Sequence, residues 1–118
     1  MVMPLLQEGS LEQLLQEEAR CRSCGPEQRV CYMCDIFEGL AYLHTPATNK
    51  PCIIHRDIKP DNVLLHGPSA RLGDVGIARE MAVAYTMTAA QGTPLFMDPE
   101  YATTGRLTAA SDVYSAGV

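Results

Sequence analysis

The sequence predicts an α+β fold in which one small hairpin is set among helices. Three observations carry that expectation. Val30, Met33, Cys34, Phe37, Leu40, Ala41 and His44 keep the three-four spacing of one helix face, which predicts a long helix ending near Leu43. Val63-Leu64-Leu65 and Ala70-Arg71-Leu72 are short apolar runs on either side of His66-Gly67-Pro68, the pattern of a strand, a turn and a returning strand. Shorter helical signals stand on both sides of these, at Leu11 and at Leu107. A length of 118 residues suits one small domain with a modest core.

Taken in order, Met1-Val2-Met3 reads as the end of a strand, punctuated by Pro4. Ser10 with Gln13 fits a capping box, which predicts a helix from about Leu11 to Glu18 with Leu11, Leu14 and Leu15 on its buried face. Arg20 to Gln28 reads as a loop, and Pro26 suits the first turn of the long helix. Thr45 to Pro51 is a second loop, after which Ile53-Ile54 leads into His55-Arg56-Asp57-Ile58-Lys59-Pro60-Asp61-Asn62. Residues 80–97 form a long irregular stretch rich in Thr and Ala, of the kind that is usually a functional loop. Asp98-Pro99-Glu100-Tyr101 starts a helical turn, and Leu107 to Tyr114 starts another helix.

The totals narrow the function classes. The net charge is −5 with no cluster of Lys and Arg, which argues against a nucleic-acid or anionic-membrane partner. Met1 to Leu6 is too short for a secretory signal. The uncharged run from Met81 to Met97 is broken by Thr, Gln, Gly and Pro and does not span a bilayer. The default is a cytoplasmic location, which is compatible with a membrane-anchored parent. The five cysteines fit reduced thiols better than a disulfide framework. Cys21, Cys24, Cys31 and Cys34 make two C-x-x-C pairs, a set that would serve a four-thiolate zinc site. The gap between the pairs is short for such a site, and core-facing cysteines on the long helix are the favoured reading.

The densest chemistry lies in His55 to Asn62. Asp57 is an acid placed to accept a proton, Lys59 a cation able to neutralise phosphate charge, and Asn62 an amide oxygen suited to a hard cation. Asp74 follows Asp57 by seventeen residues between Gly73 and Val75-Gly76, where a second carboxylate would join Asn62 on magnesium. Taken singly, Asp57 and Arg56 also suit a structural ion pair, Asp74 a turn and Asn62 a cap. Their joint spacing favours a site.

His55-Arg56-Asp57 through Asn62 resembles the catalytic loop of protein kinases, H-R-D-x-x-x-x-N, at every position. Asp74-Val75-Gly76 is similar to the metal-binding D-F-G, with Val75 in place of Phe. Asp98-Pro99-Glu100 is similar to A-P-E, with Asp98 in place of Ala, and Gly92-Thr93-Pro94 resembles the substrate-docking segment before it. Ser111 to Val118 resembles the helix that braces the catalytic loop, and Val2 to Leu6 with Gly9-Ser10-Leu11 resembles the hinge between the two lobes. The expected fold is therefore protein-kinase-like. Residues 1–118 would form a partial kinase domain: hinge, first half of the mainly helical C-terminal lobe, activation segment and start of the bracing helix, with the N-terminal lobe absent.

That resemblance implies site residues and partners. Asp57 would orient a substrate hydroxyl and take its proton, with Thr93 contacting it. Lys59 would help hold the transferred phosphate, and Asn62 with Asp74 would hold Mg2+. Pro4 and Leu6 would face the adenine of ATP through backbone groups, Met3 would be the gatekeeper, and Leu64 would floor the pocket. Asp112 would accept backbone hydrogen bonds from the catalytic loop. Arg56 would pair with a phosphate on the long loop, where Tyr85, Thr86 and Thr88 are candidates. Lys59 is the mark of the serine/threonine type, and the surrounding texture is similar to the Pelle/receptor-like and tyrosine-kinase-like groups. The implied activity is transfer of the ATP γ-phosphate to Ser or Thr of a protein substrate.

Some parts of that pattern have no counterpart in the chain. Its only lysines are Lys50 and Lys59, it holds no G-x-G-x-x-G, and no arginine is placed to pair with Glu100. The expectation is that these 118 residues alone have little or no activity. The competing class is a kinase-derived interaction module without catalysis. His44 and His66 are expected at a helix end and a turn, without a catalytic role.

Overall fold

The computed structural model describes residues 8–73, 79–80 and 94–118, with the backbone alone at 79–80. The chain enters its first helix, α1 (Leu11–Gln16), through the expected capping box. The Gln13 amide donates to Ser10 Oγ at 3.3 Å, and the Ser10 amide donates to Gln13 Oε1 at 2.9 Å. Gly9 precedes it at φ +77, and a Cβ there would collide with the Gln13 Oε1 that makes the cap. Leu14 is buried, whereas Leu15, expected on the same face, is half exposed.

The expected single helix and loop are replaced by a break and a second helix. The chain leaves helical geometry at Glu17 and re-enters it as α2 (Glu18–Ser23). Glu17–Arg20 and Glu18–Arg22 ion pairs span one turn each, so the segment is helical through local charge pairing rather than an apolar stripe. Arg29 then closes the end of α2. Its Nε donates to the Cys24 carbonyl and its Nη2 to the Cys21 carbonyl, both at 3.0 Å.

The long helix α3 (Pro26–His44) forms as expected, with Pro26 in its first turn. Its buried face is different from the expected one. Tyr32, Ile36 and Leu40 are buried, while Val30 is 60% and Phe37 40% exposed. The helix is rotated by roughly a quarter turn, about one residue's worth of angle, relative to the expected stripe. Apolar residues lie over most of the α3 circumference, so periodicity alone does not choose a side. The hairpin chooses it, because Tyr32 and Ile36 pack with Leu14, Val63, Leu65 and Ala70 in one core cluster. Cys31 and Cys34 consequently face outward, a correction to their expected place in the core, and Cys21 and Cys24 border the cluster. Among the described residues no group of three or more His, Cys, Asp or Glu side chains is gathered as a metal site.

Strands β2 (Val63–His66) and β3 (Ser69–Leu72) pair antiparallel, with Val63 opposite Leu72 and Leu65 opposite Ala70. The two-residue turn is anchored from three sides. Tyr32 Oη donates to the Gly67 carbonyl at 3.1 Å, Gln28 Nε2 to the Pro68 carbonyl at 2.7 Å, and the Gly67 amide to Glu8 Oε1 at 2.8 Å. Asp35 of α3 accepts the Ala70 amide at 2.7 Å. Strand β1 (Ile53–Ile54) pairs antiparallel with β4 (Arg79–Glu80), a contact too short to leave a periodic signal. A helical turn at Pro94–Phe96 precedes α4 (Pro99–Thr104) and α5 (Ala109–Gly117), which start as expected. Gly105 ends α4 in the left-handed conformation that a C′ position favours. Among the described residues no helix is long and apolar enough to cross a membrane.

Candidate active site

The site is built on the loop between β1 and β2, and it is held from below by one carboxylate. Asp112, in the first turn of α5, is 1% exposed. Its Oδ2 accepts the His55 amide at 2.8 Å and its Oδ1 the Arg56 amide at 2.8 Å. Oδ2 also accepts from His44 Nε2 at 2.8 Å. A buried carboxylate needs such donors to offset its lost hydration. The expected backbone contact of Asp112 is therefore present. His44 does end α3, but it is also the third donor to Asp112, which the reading of it as a bare helix-end residue missed.

His55 links the loop to the strand beyond it. The ring is fully buried, and Nε2 lies 2.8 Å from the Gly73 carbonyl. A carbonyl only accepts, so Nε2 carries the proton, and Nδ1 accepts the Asp57 amide at 3.4 Å. His55 thus spans from Asp57 to the residue next to Asp74. Arg56 between them adopts φ +77, a backbone state that L residues rarely hold. The two Asp112 hydrogen bonds fix the two successive peptide units that lead into that turn.

Asp57, Lys59 and Asn62 converge. Lys59 Nζ stands 3.2 Å from Asp57 Oδ2, and Asn62 Nδ2 donates to the same oxygen at 3.0 Å and to the Asp57 carbonyl at 2.7 Å. With its amide nitrogen committed to Asp57, Asn62 has its amide oxygen left as the group that could serve a hard cation. Asn62 lies in a helical turn, Pro60–Asn62, and its carbonyl accepts the Gly73 amide at 2.8 Å. A Cβ on Gly73 would come within 3.0 Å of Leu64 Cδ1, so glycine is what lets β3 close on the loop here. Leu64 is half-buried beside it and bridges to Ser10, which brings the segment after the expected hinge against β2.

The structure thus brings Asp57, Lys59, Asn62 and Asp112 into one cluster with Leu64 nearby. Met3, Pro4, Leu6, Asp74, Val75, Gly76, Thr93 and the candidate phosphosites Tyr85, Thr86 and Thr88 lie outside the described residues. Asp98, the departure from the A-P-E pattern, caps α4 through the Glu100 amide at 2.9 Å, while the Glu100 side chain is exposed.

The chain belongs to the protein kinase domain family, whose profile matches residues 1–118. Within it, the chain resembles plant receptor-like serine/threonine kinases. It is 43% identical over 116 residues to LRR receptor-like serine/threonine-protein kinase ERECTA of Arabidopsis thaliana, covering 96% of this chain and 12% of that protein. To calcium/calmodulin-regulated receptor-like kinase 2 of the same plant it is 37% identical over 119 residues, covering 100% of this chain and 27% of that protein. To LRR receptor-like serine/threonine-protein kinase ER1 of Oryza sativa subsp. japonica it is 41% identical over 117 residues, covering 96% and 12%. The chain therefore spans between 12% and 27% of the length of these relatives.

Proposed function

We propose that the chain is the catalytic-loop portion of a receptor-like protein kinase that transfers the ATP γ-phosphate to Ser or Thr hydroxyls of a protein. The observation that carries this reading is the convergence of Lys59 Nζ and Asn62 Nδ2 on one Asp57 carboxylate oxygen, at 3.2 and 3.0 Å. That arrangement aims the Asp57 carboxylate, as an acceptor for a substrate hydroxyl proton must be. Lys59, held beside it, offsets the charge of the group in transfer. Asn62 and Asp74 are the residues that would hold Mg2+, which neutralises phosphate charge when bound. Pro4 and Leu6 would meet the adenine through the backbone, with Leu64 beneath it.

The domain reading goes with this one. Residues 1–118 would be the hinge, the first half of the C-terminal lobe, the activation segment and the start of the bracing helix. The short share of each relative that the chain spans supports it. With Lys59 at the loop and Lys50 bonded to the Leu43 carbonyl, no lysine in the chain is placed to hold the α- and β-phosphates. The 118 residues alone would accordingly transfer phosphate poorly or not at all.

The test is phosphorylation of a Ser/Thr peptide library by the complete protein with Mg-ATP. Asp57→Asn is expected to lower kcat by about a thousandfold while leaving ATP binding intact. An Asp57→Asn protein as active as the wild type would refute the assignment of Asp57. A wild type that transfers nothing would leave the non-catalytic interaction module as the better reading. In a separate measurement on the chain itself, Mg-ATP is expected to raise the melting temperature, and Asp74→Asn to abolish that rise. Equal shifts in both proteins would remove Asp74 from the metal site.

A further inference from the structure

Asp98 does more than cap α4. Its Oδ1 accepts the Glu100 amide at 2.9 Å, while its Oδ2 accepts the Ser111 hydroxyl at 2.9 Å. Ser111 is buried in the first turn of α5 and is the neighbour of Asp112, the residue that holds the His55 and Arg56 amides. One turn later, Ser115 donates to the Phe96 carbonyl at 2.6 Å. Two α5 serines thus tie the 96–98 segment to the same helix that braces the loop. Phe96, Asp98 and Ser111 also line a small cavity together with Arg56, Asp57 and Ile58.

We infer that Asp98 and Ser111 are positioning residues that lock the 94–98 segment to α5 and thereby set how well a protein substrate is held before Asp57. The inference rests on the kinase reading given above. The bond joins the half-buried Asp98 carboxylate to a buried hydroxyl, so its loss loosens the 96–98 segment where it lines the same cavity as Asp57. Capture of a protein substrate beside Asp57 is therefore the step expected to change.

Two single variants and their combination in the complete protein separate this from helix capping. Asp98→Ser keeps a residue able to cap α4 but is too short to reach Ser111, and Ser111→Ala removes the same bond from the other side together with the Thr108 amide bond of the α5 capping box. Each is expected to raise the peptide KM by about tenfold, with kcat and the KM for ATP within about twofold of wild type. The double variant is expected to be no worse than Ser111→Ala alone, since that variant already lacks the Asp98–Ser111 bond. Backbone amide exchange on the same proteins is expected to quicken together at residues 94–98 and at His55 and Arg56. Multiplying effects in the double variant would overturn the inference, as would a fall in kcat at unchanged peptide KM. If the wild type transfers no phosphate, the kinase reading fails on its own and the exchange measurement decides the link. Faster exchange at both places upholds it, and loosening of 94–98 with no change at His55 and Arg56 overturns it.

Discussion

Asp112 concentrates the largest single-residue effect on the site. Its two oxygens receive three donors, from His55, Arg56 and His44, and it has almost no contact with water. Asp112→Ala would strand two buried amides and a histidine nitrogen. The expected cost is about 3 kcal/mol or more, read as a lower denaturant midpoint at constant slope. Because those amides lead directly into the left-handed Arg56, the same change is expected to depress kcat even where the protein still folds. The role of Asp112 was legible from its place in a motif. The roles of His44 and His55 were not, since each depends on an atom far away in the chain, Asp112 for one and the Gly73 carbonyl for the other.

At the scale of elements, the α3–hairpin contact holds the scaffold on which the loop is carried. Tyr32 sits at its centre, with its ring in the core and its hydroxyl on the Gly67 carbonyl. Burial is the main reason its phenol is pushed above the ordinary value of 10.0, with Cys24 and Glu8 adding to the rise and Arg20 opposing it. The folded state therefore favours the neutral phenol. That preference costs nothing below pH 10, and stability is lost as pH rises above it. Tyr32→Phe is expected to cost about 1 kcal/mol at neutral pH from the lost hydrogen bond. Above pH 10 it is expected to flatten the fall in melting temperature that the wild type shows. The capping box at Ser10 and the first-turn Pro26 placed the starts of α1 and α3 correctly, because such signals are local. The break at Glu17 and the pairing of β1 with β4 left no such mark.

At the scale of the molecule, a core cluster among the described residues is shared by α1, α3 and the hairpin, with Leu65 wholly buried within it. Leu65→Ala is expected to cost about 3 kcal/mol, measured by denaturant unfolding, because the surrounding helix and strand cannot close a gap that size. Phe37→Ser, on the outward side of α3, is expected to change the stability of the chain by less than about 0.5 kcal/mol. A result in the opposite order would mean that the expected α3 face, not the observed one, carries the packing. The outward position of Cys31 and Cys34 follows from the same rotation of the helix.

What the sequence by itself determined was order and chemistry. The His55-to-Asn62 spacing, the turn at Gly67 and the helix caps are relations between residues a few positions apart, and short-range stereochemistry is enough to read them. The α+β class followed from those local signals, and so did the family. Only the tertiary structure decided which side of α3 is buried, that His44 and α5 meet at Asp112, and that Asp98 reaches Ser111. Each of these depends on contacts between elements distant in sequence. An apolar stripe states that a helix must bury something, and the partner that fills it decides which stripe is used.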